Sequence, residues 1–176
     1  MANIYNLFKF LEEKKGKPIP FGVKLIHAPE TLTKDDLNVK GNLDLGNTKI
    51  SSLPDNLKVG GYLNLYKTKI SSLPDNLKVG GSLYLYETKI SSLPDNLTVK
   101  GNLDLYKTNI SSLPDNLKVG GYLNLRDTKI SSLPDNLTVK GDLFLEKTPL
   151  AKKYLQEQIR KMIEKKGGEV KGAIYT

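Results

Sequence analysis

Apolar residues in the middle of the chain recur with two different steps. From Leu57 to Leu65, Leu57, Val59, Leu63 and Leu65 alternate with polar residues, and Gly61 holds the in-phase position. Alternation with period two predicts a strand with one buried face. Past Leu65 the step lengthens to Thr68, Ile70 and Leu73, and Pro74 ends any strand. Ser-Ser, Pro-Asp-Asn and Gly-Gly supply turns, because Pro presets φ and Asn or Gly tolerates unusual backbone angles. The phrase ISSLPDNL then returns unchanged at Ile50–Leu57, Ile70–Leu77, Ile90–Leu97, Ile110–Leu117 and Ile130–Leu137, a period of 20 residues. A fixed period in this range marks a solenoid, in which each unit buries its apolar side against its neighbours. Such a unit is too short for a strand, a full helix and two turns. Each coil is therefore predicted as one short parallel strand plus extended or single-turn segments, with little helix.

Six coils begin at Gly41, Gly61, Gly81, Gly101, Gly121 and Gly141. At ~4.8 Å per strand, the sheet should be on the order of 25–30 Å long. Open end coils need caps. Ile4, Leu7, Phe8 and Leu11 have helical spacing, which predicts an amphipathic helix over residues 3–14. PIPFGVKLIHAP reads as a strand leading into an imperfect first coil, LTKDDLNVK. At the other end, Thr148 is the expected N-cap, Pro149 the first helical residue and Gly167–Gly168 the stop. Leu155, Ile159, Met162 and Ile163 should share that helix's buried face, and EVKGAIY alternates like a final strand. The chain thus reads as a single solenoid domain: a cap over 1–40, repeats over 41–148, and a helix with a tail strand over 149–176.

The segment LNLYKTKI, followed by L-P, resembles the leucine-rich repeat, most closely the short bacterial form found in secreted effectors. The variant V-G-G-x-L-x-L-x-x-T-x-I-x-x-L-P also resembles repeat proteins of bacterial and phage genomes. The resemblance covers roughly residues 37–150 and implies a repeat solenoid with a parallel sheet, whose members mainly bind other proteins. Where that family carries an Asn that bonds backbone between coils, this chain has Thr48, Thr68, Thr88, Thr108, Thr128 and Thr148. The effectors' ubiquitin-ligase domain, with its catalytic Cys, has no counterpart here.

Charge changes the picture only at the ends. Of the net +8, residues 149–176 carry seven basic and three acidic groups, whereas the repeats carry thirteen and eleven. The basic C-terminal helix, with Lys152, Lys153, Arg160, Lys161, Lys165 and Lys166, suits a soluble cap. Contact with a membrane surface is its weaker alternative. No Cys is present, and the N-terminus is broken by Lys9, Glu12 and Glu13, so it lacks the apolar run of a signal peptide. No stretch is long enough to span a membrane. The expected location is cytoplasmic, or the host cytoplasm for a phage-derived chain.

Variation among the repeats is confined to one side. The turn side SSLPDN is invariant in five copies, while the outward strand positions change from coil to coil. Those positions hold six of the nine Tyr, and Tyr offers a large contact area at low entropic cost. Tyr62, Tyr66, Tyr84, Tyr86, Tyr106 and Tyr122 are therefore the expected centre of a protein-binding face, with Asn64, Asn124 and Arg126 setting direction through hydrogen bonds. Asp, Asn and Tyr also suit a carbohydrate, and an assembly that stacks through the ends is a third reading. Nucleic acid fits this face poorly, since its acids outnumber its bases. The single His27 and the absence of Cys leave no nucleophile–base pair, so no catalytic residue, metal site or cofactor is expected. The chain reads as a non-enzyme.

Overall fold

A computed structural model describes residues 4–16, 18–95 and 97–176. The repeats form a parallel β-solenoid, but each coil contributes two strands rather than the single one expected. Lys58–Val59 and Leu63–Asn64 are two-residue strands of different sheets, separated by the corner at Gly60–Gly61. The alternation had run on through that corner because Gly61 keeps the phase while the chain turns. Both sheets have seven strands, and each strand pairs with the next coil in register, as Lys58 with Lys78 and Leu63 with Leu83. The EVKGAIY tail supplies a seventh rung to both sheets: Val170 pairs with Val139, and Ile174 with Leu143.

Columns of identical residues fill the interior. Leu63, Leu83, Leu103, Leu123 and Leu143 are fully buried, as are Ile70, Ile90, Ile110 and Ile130. At roughly 1.5–3 kcal/mol for each buried Leu or Ile side chain, these columns are the main stabilising term. The Thr column serves the individual coil. Thr88 Oγ1 donates to the Leu85 carbonyl at 2.6 Å, and Thr68, Thr108, Thr128 and Thr148 do the same three residues back. This column therefore carries no inter-coil Asn ladder among the described residues. Lys67, Glu87, Lys107 and Asp127 just before it adopt left-handed backbone, φ +52° to +57°, which tightens each coil after the strand.

The caps depart from expectation in three ways. The predicted entry strand is a helix, α2 (Phe21–His27), following α1 (Ile4–Lys15). Phe21, Lys24 and Ala28 are buried at helical spacing, a pattern masked by the flanking Pro residues. Gly22 lets α2 sit close, since a Cβ there would lie 3.3 Å from Leu45 Cδ2. In α1, Phe8 is buried and Leu11 half-buried, but Leu7 faces solvent. Residue 3 and the Ile4 side chain lie outside the described residues. Lys24 ties the cap together through Glu12 Oε1 at 3.1 Å and Asp36 Oδ1 at 3.3 Å.

The third departure is at the far end, where the single helix is two: α3 (Pro149–Lys153) and α4 (Gln156–Lys165). Gln158 accepts from the Leu155 N–H at 2.9 Å and so starts a new helix there. Leu155 is consequently 73% exposed, and Ile159 and Ile163 alone fill the buried face that it was expected to share, with Met162 half-buried. Thr148 caps α3 as expected, accepting from the Ala151 N–H, and Gly167 at φ +74° ends α4. Among the described residues no helix is long and apolar enough to cross a membrane.

Candidate functional site

The outward residues of the second sheet stand in register along the solenoid. Asp44, Asn64, Tyr84, Asp104, Asn124, Phe144 and Tyr175 form one continuous column. The parallel pairing of short, identical coils places each side chain one strand spacing from its equivalent. Aromatic rings therefore meet across coils. Tyr66 stacks on Tyr86 with centroids 4.2 Å apart, and Tyr62 meets Tyr84 edge-on at 6.1 Å. Phe144 stacks on Tyr175 at 4.8 Å and meets Tyr122 edge-on at 5.9 Å.

The expected site residues fall into two neighbouring groups. Tyr62, Asn64, Tyr84, Tyr86 and Tyr122 line an open depression of about 370 Å³ with Asp44 and Asp104. Tyr106, Asn124 and Arg126 line the next, of about 410 Å³, with Asp127, Glu146 and Lys147. Tyr66 borders the first group through its stack on Tyr86. Phe144 and Tyr175 extend the aromatic surface beyond the residues picked out from sequence. Tyr175 was hidden because α3 and α4 stretch the last step of the register from 20 to 31 residues.

Polar groups on this face are largely engaged with one another. Asp44 Oδ1 accepts from Asn64 Nδ2 at 3.0 Å and Asp104 Oδ1 from Asn124 Nδ2 at 3.1 Å, so both amides link adjacent coils. Arg126 pairs with Glu146 Oε1 at 2.7 Å and lies 4.1 Å over the Phe144 ring. Lys67 and Lys107 lie similarly over Tyr66 and Tyr106. Cations thus cover one edge of the aromatic face, while none lines the depression around Tyr84.

Burial gives that depression its electrostatic character. Desolvation pushes the Asp104 carboxyl above its ordinary range, against the Tyr106 N–H, the Asn124 amide and the field of Arg126. Desolvation also raises the Tyr122 and Tyr86 hydroxyls, with Asp104 contributing to both. Both phenols therefore stay protonated as hydrogen-bond donors. Chemically, the groove offers flat aromatic area, phenol donors and carboxylate acceptors. Among the described residues no group of three or more His, Cys, Asp or Glu could hold a metal ion. His27 is exposed on α2.

A hollow of about 630 Å³ lies apart from this face, between the last turn and the C-terminal helices, with Leu133, Leu150, Tyr154 and Met162 among its walls. Lys166 Nζ on its rim is held by the Leu133 carbonyl and Asp135, both at 2.9 Å. No protein-family model matches the sequence, and no curated protein matches it.

Proposed function

We propose that the chain is a non-catalytic protein-interaction module, of the leucine-rich-repeat kind its coils resemble, and that it holds a partner protein in the groove around Tyr84. The supporting observation is the groove itself: four Tyr side chains from three coils, half-buried by their neighbours, converge on one open depression with two carboxylates. Rings already immobilised by stacking lose little freedom on binding, so their contact area is available for affinity. The groove's acids favour a partner segment that presents donors or a cation against the Tyr rings.

The test is affinity capture from host lysate by the native chain and by a variant carrying Tyr84→Ala and Tyr106→Ala. Both positions are only half-buried, so the variant should keep the native melting curve and lose the retained protein. Equal retention by the two chains overturns the proposal. Quenching of Tyr fluorescence by glycans, without protein retention, would instead establish the carbohydrate reading.

A further inference from the structure

The first sheet presents a face of opposite character, built by a rule that runs through every rung. Its strands and the residue after each read NVK, KVG, KVG, TVK, KVG, TVK and EVK, starting at Asn38, Lys58, Lys78, Thr98, Lys118, Thr138 and Glu169. Lys58, Lys78 and Lys118 precede the inward Val and are followed by Gly. Where Asn, Thr or Glu precedes the Val, the Lys follows it instead, as Lys40, Lys100, Lys140 and Lys171. Each rung therefore carries one lysine, never none and never two. All seven are exposed, and none makes an ion pair among the described residues.

The switch of position sets most strand lysines opposite Asn or Thr, but it leaves the face without neutralising charge. Lys58 lies directly opposite Lys78 in the parallel register, and like charges facing each other across strands are destabilising. The remaining lysines follow one another along a ladder of roughly 29 Å, from seven strands about 4.8 Å apart. Only Glu169, on the last rung, opposes them among the outward strand residues of this sheet. Seven exposed lysines on one face, with no ion pair to neutralise them among the described residues, mark a functional surface.

We propose that this lysine ladder binds the phosphodiester backbone of a nucleic-acid duplex, without sequence preference. The face bears no aromatic residue, so it offers single-stranded bases nothing to stack on. Its apolar residues, the strand Val and Leu77, are buried apart from the half-buried Val39, so it has no exposed anchor to insert into a lipid surface. What it offers is a staggered row of flexible point charges, one to a rung, which is what phosphate contacts need. Lys40, Lys58, Lys78 and Lys100 also border a shallow depression of about 440 Å³ in which a backbone can seat. The acidic balance that argued against nucleic acid belongs to the Tyr face alone.

Two charge-matched variants test this. One carries Lys58→Gln, Lys78→Gln and Lys118→Gln on the ladder. The other carries Lys49→Gln, Lys69→Gln and Lys129→Gln, exposed lysines outside both sheets. Anisotropy of a labelled DNA duplex should show micromolar binding by the native chain at about 50 mM salt. The ladder variant should bind at least about tenfold more weakly, with a log–log salt slope shallower by roughly 3. The second variant, and the Tyr84→Ala, Tyr106→Ala chain, should bind as the native protein does. Equal weakening by both lysine variants reduces the effect to net charge and overturns the proposal. So does absence of duplex binding at low salt, or binding to anionic phospholipid vesicles but not to the duplex.

Discussion

Replacing Gly81 by Ala should destabilise the solenoid, whereas the same change at Gly41 should not. Both residues occupy the corner between the two sheets, and neither has positive φ. They differ in what stands beneath them. A Cβ on Gly81 would lie 2.8 Å from the Gly61 carbonyl carbon and 2.9 Å from its oxygen, both rigid backbone. On Gly41, at the first rung, it would meet nothing within 4 Å. The corner is also a hydrogen-bond column, with Gly81 N donating to Gly61 O at 2.9 Å and Gly101 N to Gly81 O at 3.0 Å. Overpacking of about 1–3 kcal/mol, with both bonds strained at about 1 kcal/mol each, gives roughly 3–5 kcal/mol for Gly81→Ala. Gly41→Ala should be neutral, or stabilising by about 0.5 kcal/mol through the unfolded chain. Urea unfolding followed by circular dichroism measures both. Equal midpoints for the two variants would mean that close stacking of rungs is not what demands Gly at this corner.

Thr88→Val keeps the side-chain shape but removes the hydroxyl that the buried Leu85 carbonyl accepts at 2.6 Å, so it should lower stability by about 1 kcal/mol in the same assay. No change would mean that the Thr column is only a packing residue. Asp104 has a folded pKa above its unfolded one, so the folded state binds the extra proton and stability falls as pH rises through the window just above the ordinary Asp value. Asp104→Asn should raise the thermal midpoint at neutral pH and flatten its pH dependence in that window. Asn64 already shows that an amide Oδ1 can accept the N–H two residues on. A lower midpoint at neutral pH would contradict this assignment.

Repetition made the fold legible. Identical coils must stack on identical neighbours, so the period, the buried columns and the parallel register could be read directly. What could not be read was where the chain bends within a coil. Gly61 keeps the apolar phase through the corner, and Lys67 gives no sign that it will take left-handed backbone. The division of each coil between two sheets was missed for that reason, and with it the lysine ladder of the first sheet, whose charges switch between two positions and so form no single column in sequence. The caps were harder because they occur once. Phe21, Lys24 and Ala28 carry a helical pattern only three residues deep, set among Pro residues. At the Tyr face, the residue positions were visible from their variation, but the grouping around Tyr84 depended on ring geometry. Tyr175 reached the face through a register step lengthened by two helices.

The most direct measurement is hydroxyl-radical footprinting of the chain with its captured partner, read residue by residue by mass spectrometry. Partner binding should protect Tyr62, Tyr84 and Tyr122 and leave Tyr154 of the C-terminal cap unchanged. Protection confined to Tyr154 and Leu155, or to the turn side, would place the partner elsewhere and contradict the assignment of the Tyr groove.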